Sequence, residues 1–167
     1  MDVREVNKHL LDEGMTLGSV ESFTGGLFAS TITSVGGASK IYKGGYVTYA
    51  TEEKIKLLSI PESVINQFGV VSKEVAYYMA NNARQLLNVD VCVSFTGNAG
   101  PEAMEGKPVG EVHIGIATSS SAQIFSLQLQ GDRNSIQQQA VEFALKKVNY
   151  IKKIILQKNA KISLFNK

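Results

Sequence analysis

Cys92 is the only cysteine in the 167 residues, so no internal disulfide can form and no cysteine-based metal site can be assembled. Tryptophan is absent, and there are only two histidines. His9 falls on the polar side of a first helix and His113 alternates within a strand, so no metal cluster and no Ser-His-Asp set suggests itself. Charged residues are sparse at 19%, and the net charge of +2 is too small by itself to argue for nucleic acid or an anionic membrane. No apolar run is long enough to span a bilayer, and Met1-Asp2-Val3-Arg4-Glu5 lacks the apolar core of a signal peptide. These absences lead to the expectation of a cytoplasmic protein in a reducing compartment, with no membrane association, metal or cofactor.

Hydrophobic residues make up 44% of the chain, enough for a real core, and its fifteen glycines gather in loops. Val6, Leu10 and Leu11 mark a first helix that Gly14 closes, and Met15 to Val20 reads as a short strand. Thr24-Gly25-Gly26 then breaks the chain before helical content from Leu27 to Thr33. A β-rich run through Gly44 to Tyr49 precedes a helical Glu52 to Leu58, and Pro61 can open a further short helix. Ser72 is a good N-cap for Lys73 to Leu87, whose Val75, Met79, Ala83 and Leu86 form an apolar stripe. The apolar run Val89 to Phe95 favours a central strand, and Val109–Ala117 with Gln123–Leu129 reads as an antiparallel hairpin. A last helix is predicted from near Arg133 to about Leu156. The expectation is one α/β domain over residues 1–157, a three-layer α/β/α sandwich with a mixed sheet, followed by a basic tail over 158–167.

Ligands in an open α/β sheet collect beyond the carboxyl ends of strands. Two loops have that placement, Glu21 to Gly26 and Thr96 to Pro101. A helix opening near Thr24 would aim unpaired N–H groups at an anion or a developing oxyanion. Local chemistry leaves each candidate open. Ser22 is either a helix cap or a nucleophile; Lys54, in Glu52-Glu53-Lys54-Ile55-Lys56, is either a solvated surface charge or a base made neutral by burial. Tyr49 can pack in the core, and Arg133 can pair with its neighbour Asp132. The turn carries neither of the standard glycine-rich nucleotide motifs.

Six stretches occur in order: Glu21-Ser22-Phe23-Thr24-Gly25-Gly26, Gly45-Tyr46-Val47-Thr48-Tyr49-Ala50-Thr51-Glu52-Glu53-Lys54, Gly69-Val70-Val71-Ser72, Gly97-Asn98-Ala99-Gly100-Pro101, Lys107-Pro108-Val109-Gly110 and Gly131-Asp132-Arg133. In this combination the chain resembles the C-terminal domain of the competence/damage-inducible CinA proteins, which also occurs as a stand-alone nicotinamide mononucleotide deamidase. The resemblance runs from about Val3 to Ile155. It implies hydrolysis of the carboxamide of nicotinamide mononucleotide to nicotinic acid mononucleotide and ammonia, in pyridine-nucleotide salvage, without a metal. Carried over by position, Ser22 is the nucleophile, Lys54 its base and Tyr49 a nearby hydroxyl. Thr24, Gly25, Gly26, Thr96, Gly97 and Asn98 are expected around the substrate, with Arg133 at its phosphate.

The chain departs from the usual family pattern at several places. Phe23 stands for a common cysteine, Thr51 for asparagine, Asn98 for an aliphatic or small residue and Gln137 for arginine. The usually glycine-rich loop after Pro101 reads Glu102-Ala103-Met104-Glu105-Gly106. These departures motivate an alternative, a weakly active or inactive module that binds a mononucleotide or serves a competence partner. Seven lysines and no acidic residue follow Glu142, which suggests either a solvated basic face or nucleic-acid binding. Against nucleic acid stands the lack of a basic stripe elsewhere. Ile162, Leu164 and Phe165 suggest instead a tail docked on a neighbouring subunit, hence a homo-oligomer.

Overall fold

Parallel pairing on one side of a sheet and antiparallel pairing on the other decide where the loops of this protein collect. A computed structural model describes residues 2–151. Its strands are β1 (Leu17–Glu21), β2 (Tyr42–Val47), β3 (Val91–Gly97), β4 (Glu111–Ala117) and β5 (Ala122–Gln128). They form one five-stranded sheet in the order β2-β1-β3-β4-β5. β1 runs parallel to β2 and β3, whereas β4 is antiparallel to β3 and β5. The apolar run after Val89 is therefore the middle strand, buried at every position, as its two-sided hydrophobicity predicts.

The helices are α1 (Val3–Asp12), α2 (Leu27–Thr33), α3 (Thr51–Leu58), α4 (Glu62–Phe68), α5 (Lys73–Leu87) and α6 (Arg133–Asn149). α1, α2 and α6 pack against one another on one face; α3 and α4 pack on α5, which covers the other. This is the expected α/β/α layering. Successive side chains along a strand point to opposite faces. In β3, Val91, Val93 and Phe95 enter the core under α1, α2 and α6, while Cys92 enters the smaller cluster beside α5. Phe28 of α2 stacks on Phe95 with ring centroids 5.2 Å apart.

α5 approaches the sheet closely because small residues meet there. A Cβ on Gly115 would lie 2.7 Å from the Ala76 carbonyl oxygen. Ser94 fills the narrow gap, donating its hydroxyl to that carbonyl at 2.7 Å and accepting the Gly115 N–H at 3.2 Å. Ser72 caps α5 by accepting the Val75 N–H, as its sequence position predicts.

Two predicted stripes are rotated. The inner face of α5 is Val75, Ala76, Met79, Ala80 and Ala83, and Leu86 is exposed. On α1 the buried residues are Val6, Asn7 and Leu10, while Leu11 faces out. Asn7 is admitted because its side-chain amide donates to the Ile32 carbonyl at 3.0 Å. The C-terminal part of the last predicted helix, with Ile155, and the tail 158–167 lie outside the described residues. No helix among the described residues is long and apolar enough to cross a membrane.

Candidate active site

The three parallel strands end at the same edge, so the segments leaving β1, β2 and β3 meet there. The chain leaves β1 toward β2 and leaves β3 toward β4, on opposite sides, which opens a crevice at that strand edge. Ser22 follows β1 directly, and its N–H donates to the Phe95 carbonyl at 3.0 Å. Positive φ at Gly25 (60°) and Gly26 (99°) then turns the chain into α2.

Glu21 ends β1 with a side chain only 1% exposed. Its carboxylate accepts the N–H groups of Gly26, Phe28 and Ala29 at 3.1, 3.1 and 2.9 Å. A carboxylate from the preceding strand thus occupies the start of α2, where the sequence suggested amides open to a ligand. The helix begins at Leu27, not near Thr24. A carboxylate so deeply buried needs those donors. Thr24, Gly25 and Gly26, expected around the substrate, do not line the cleft. The N–H groups of Phe23 and Thr24 have no acceptor among the described residues, so the donors beside Ser22 are those that precede the glycines.

Lys54 is the largest departure from surface expectation. Its glutamate neighbours suggest solvent, yet the fourth position of α3 faces inward and Lys54 is 1% exposed. Its Nζ lies 3.0 Å from Ser22 Oγ, 2.7 Å from the Thr48 carbonyl and 3.2 Å from the Tyr49 carbonyl. An ammonium has three N–H donors, and three acceptors surround it. A neutral amine has two N–H groups and a lone pair; two carbonyls and one hydroxyl match that form as well. Burial pushes the pKa of Lys54 down to about 8, against the fields of Glu105 and Glu52, which raise it. A proton can therefore pass between Ser22 and Lys54 with no change of partners.

The cleft above this pair is small, about 140 Å³. It is lined by Ser22, Tyr49, Lys54, Thr96, Gly97, Asn98 and Arg133 among the sequence candidates. Phe23, Thr51, Val70, Val71, Ala99 and Met104 complete the wall. The valines belong to a quoted stretch, but nothing local marked Met104 as facing a cleft. Tyr49 is 62% exposed at the mouth, contrary to a core position. Arg133 donates to the Tyr49 hydroxyl at 3.4 Å and to the Gly100 carbonyl, while Asp132 caps α6 on the Ser135 N–H. The arginine therefore faces the cleft and does not pair with its neighbour.

Three polar side chains near the cleft are engaged within the protein. Asn98 donates to the carbonyls of Glu102 and Lys107 at 3.0 and 3.3 Å and accepts the Gly100 N–H at 2.9 Å. Gln137 donates to the Phe23 carbonyl at 2.6 Å. Thr96 lines the cleft, but its hydroxyl donates to the Val70 carbonyl at 2.6 Å. His113 bonds to Ser126 and Glu111 and does not line the cleft.

Residues 3–151 match the model of a protein family described as the CinA C-terminal domain. A protein named as competence-damage inducible, from Geobacillus sp. (strain WCH70), is 45% identical over 130 residues, covering 77% of this chain and 31% of that protein. The chain spans about a third of the length of such curated relatives. The crystal structure of a competence-damaged protein (CinA) superfamily protein from Escherichia coli superposes with a TM-score of 0.85 at 30% identity, covering 87% of this chain and 86% of that one. A CinA superfamily protein from Klebsiella pneumoniae gives 0.86 at 26% identity, covering 88% and 92%.

Proposed function

The chain belongs to the CinA C-terminal domain family, and from that premise we propose that it is an amidohydrolase that converts nicotinamide mononucleotide to nicotinic acid mononucleotide and ammonia. The observation that carries this reading is the buried Lys54 Nζ, 3.0 Å from Ser22 Oγ and otherwise bonded to two carbonyls. Those carbonyls orient the lone pair of the neutral amine toward the serine proton, which is what a general base requires.

Ser22 Oγ attacks the carboxamide carbon while its proton passes to Lys54. The resulting oxyanion takes the N–H of Phe23, which lines the cleft beside the nucleophile and has no acceptor among the described residues. Lys54 returns the proton to the departing nitrogen, ammonia leaves, and an ester on Ser22 remains. Water then attacks the ester with Lys54 again as base; the acid product and the free serine hydroxyl are released. Arg133 at the mouth suits the phosphate, and Tyr49, bonded to it, keeps the guanidinium over the opening.

Release of ammonia from nicotinamide mononucleotide tests the reading, with Ser22→Ala as the control that abolishes it. The alternative, a mononucleotide-binding module without turnover, is favoured by the engagement of Asn98 and Gln137 inside the protein. It predicts stabilisation by the mononucleotide with no ammonia formed.

A further inference from the structure

The segment Glu102–Lys107 is fastened at both ends and in its middle. Asn98 holds its ends through the Glu102 and Lys107 carbonyls. Met104 and Lys107 bond to each other across the loop, N–H to carbonyl in both directions. At the far side of the cleft the Glu105 carboxylate accepts the Val71 N–H at 3.3 Å. It lies over Gly69, where a Cβ would come within 2.5 Å of Glu105 Oε2, so glycine leaves room for the contact. Glu105 itself has φ of 54°, a conformation that a side-chain-bearing residue adopts only when its surroundings hold it there.

These contacts fix Met104 as part of the cleft wall, although it is 41% exposed. Val70 and Val71, the latter bearing the N–H that Glu105 holds, line the same cleft. Ser22 and Lys54 form the reacting pair in this cleft, Asn98 is turned to the Glu102 and Lys107 carbonyls, and Arg133 lies beside Tyr49. An apolar, polarizable thioether held in that position suits the face or edge of a flat aromatic ring.

We propose that residues 102–107 are a strap across the cleft, fastened by Asn98 and Glu105, and that Met104 on this strap selects substrates whose amide is carried on a flat aromatic ring. The choice of ring rests on the amidohydrolase reading above; the strap does not. It makes Asn98 and Glu105 positioning residues and Met104 a specificity residue.

Calorimetry on the Ser22→Ala protein separates the two readings, with nicotinic acid mononucleotide and ribose 5-phosphate as ligands that differ by the ring. The ring-bearing ligand should bind more tightly, and Met104→Gly should weaken it by about tenfold while leaving ribose 5-phosphate within twofold. In Glu105→Ala, amide exchange at Val71 should accelerate by about tenfold as the strap is released. Equal weakening of both ligands, no binding of either, or an unchanged Val71 exchange overturns the proposal. Ring-dependent binding that needs Met104, in a protein whose wild type releases no ammonia, sinks the reaction and keeps the strap.

Discussion

The two faces of the sheet are built differently. Under α1, α2 and α6 the core is large and apolar, with Phe28, Phe95, Ile114 and Ile136 fully buried. The face under α3, α4 and α5 has a smaller cluster, and around it lie Ser94, Thr96, His113 and Lys54, all buried and polar. Each CH₂ removed from water stabilises the fold by about 0.8 kcal/mol, whereas a buried cation costs several unless its partners are well placed. One face thus supplies stability, and the other accepts a charged group that the fold does not need. That division supports reading Lys54 chemically, because a purely structural role would be better served by an apolar residue of its size.

The largest effect expected from this division is on the charged face. Replacing Lys54 by methionine removes the proposed base, and ammonia release should fall by about 10³-fold or more, as should that of Ser22→Ala. The folded state of Lys54→Met should remain as stable as wild type at neutral pH, since desolvation of the cation is relieved while two carbonyls lose a donor. Urea unfolding checks the second half. If Lys54→Met unfolds as easily as a core truncation does, the contrast between the faces is wrong.

The complementary change is Leu10→Ala in α1, at a fully buried position in the core of the opposite face. It should cost about 2–5 kcal/mol by lost transfer and cavity formation. The fraction that remains folded should keep its turnover. Denaturation midpoints and ammonia release measured on the same samples test both expectations; a selective loss of turnover would mean that the apolar face tunes the chemistry as well.

A smaller effect follows from the lowered pKa of Lys54, about 8 in the folded protein against about 10.5 for an ordinary lysine. Between these values the unfolded chain binds more protons, so stability rises with pH over that window. Below about 8 both states are protonated and the full cost of burying the cation is present, on the order of 3 kcal/mol. From pH 7 to 9.5, wild type should gain about 2 kcal/mol relative to Lys54→Met in urea unfolding. Ammonia release should rise over the same approach to pH 8 as free amine forms. Glu105→Gln removes a field that raises this pKa, so the rise should move to lower pH.

What the sequence discloses follows the range of the interactions involved. The middle strand, the hairpin and the Ser72 cap were legible because continuous hydrophobicity, alternation and capping act over a few neighbours. Lys54 was not, because its inward turn depends on where α3 lands against α5 and beside Ser22, and its own neighbours are Glu52, Glu53 and Lys56. The family resemblance singled it out, and the local pattern argued for solvent. Glu21 was missed as the partner of the α2 amides because the donors lie 5–8 residues further on. Asn98 looked like a ligand for substrate, yet its side chain fastens residues 102–107, which no spacing rule announces. Leu11 and Leu86 show the limit in the other direction, since a helical stripe identifies a face only to within one position.

Gln137 gives the smallest effect and bears most directly on how the faces communicate. It sits on α6, whose inner residues belong to the large apolar core, yet its amide donates to the Phe23 carbonyl in the turn that carries Ser22. The apolar face thereby steadies Phe23, whose N–H is the proposed oxyanion donor just after the nucleophile. Loss of this bond in Gln137→Leu should cost about 1 kcal/mol of stability. If the turn is positioned through it, kcat should fall by about tenfold while KM stays within twofold, because the loss is felt where the oxyanion develops. Gln137→Arg keeps a donor for the carbonyl and should restore kcat. A rise in KM with unchanged kcat would instead assign Gln137 to substrate binding. Loss of stability with neither parameter changed would leave the turn held by Glu21 and the Phe95 carbonyl alone.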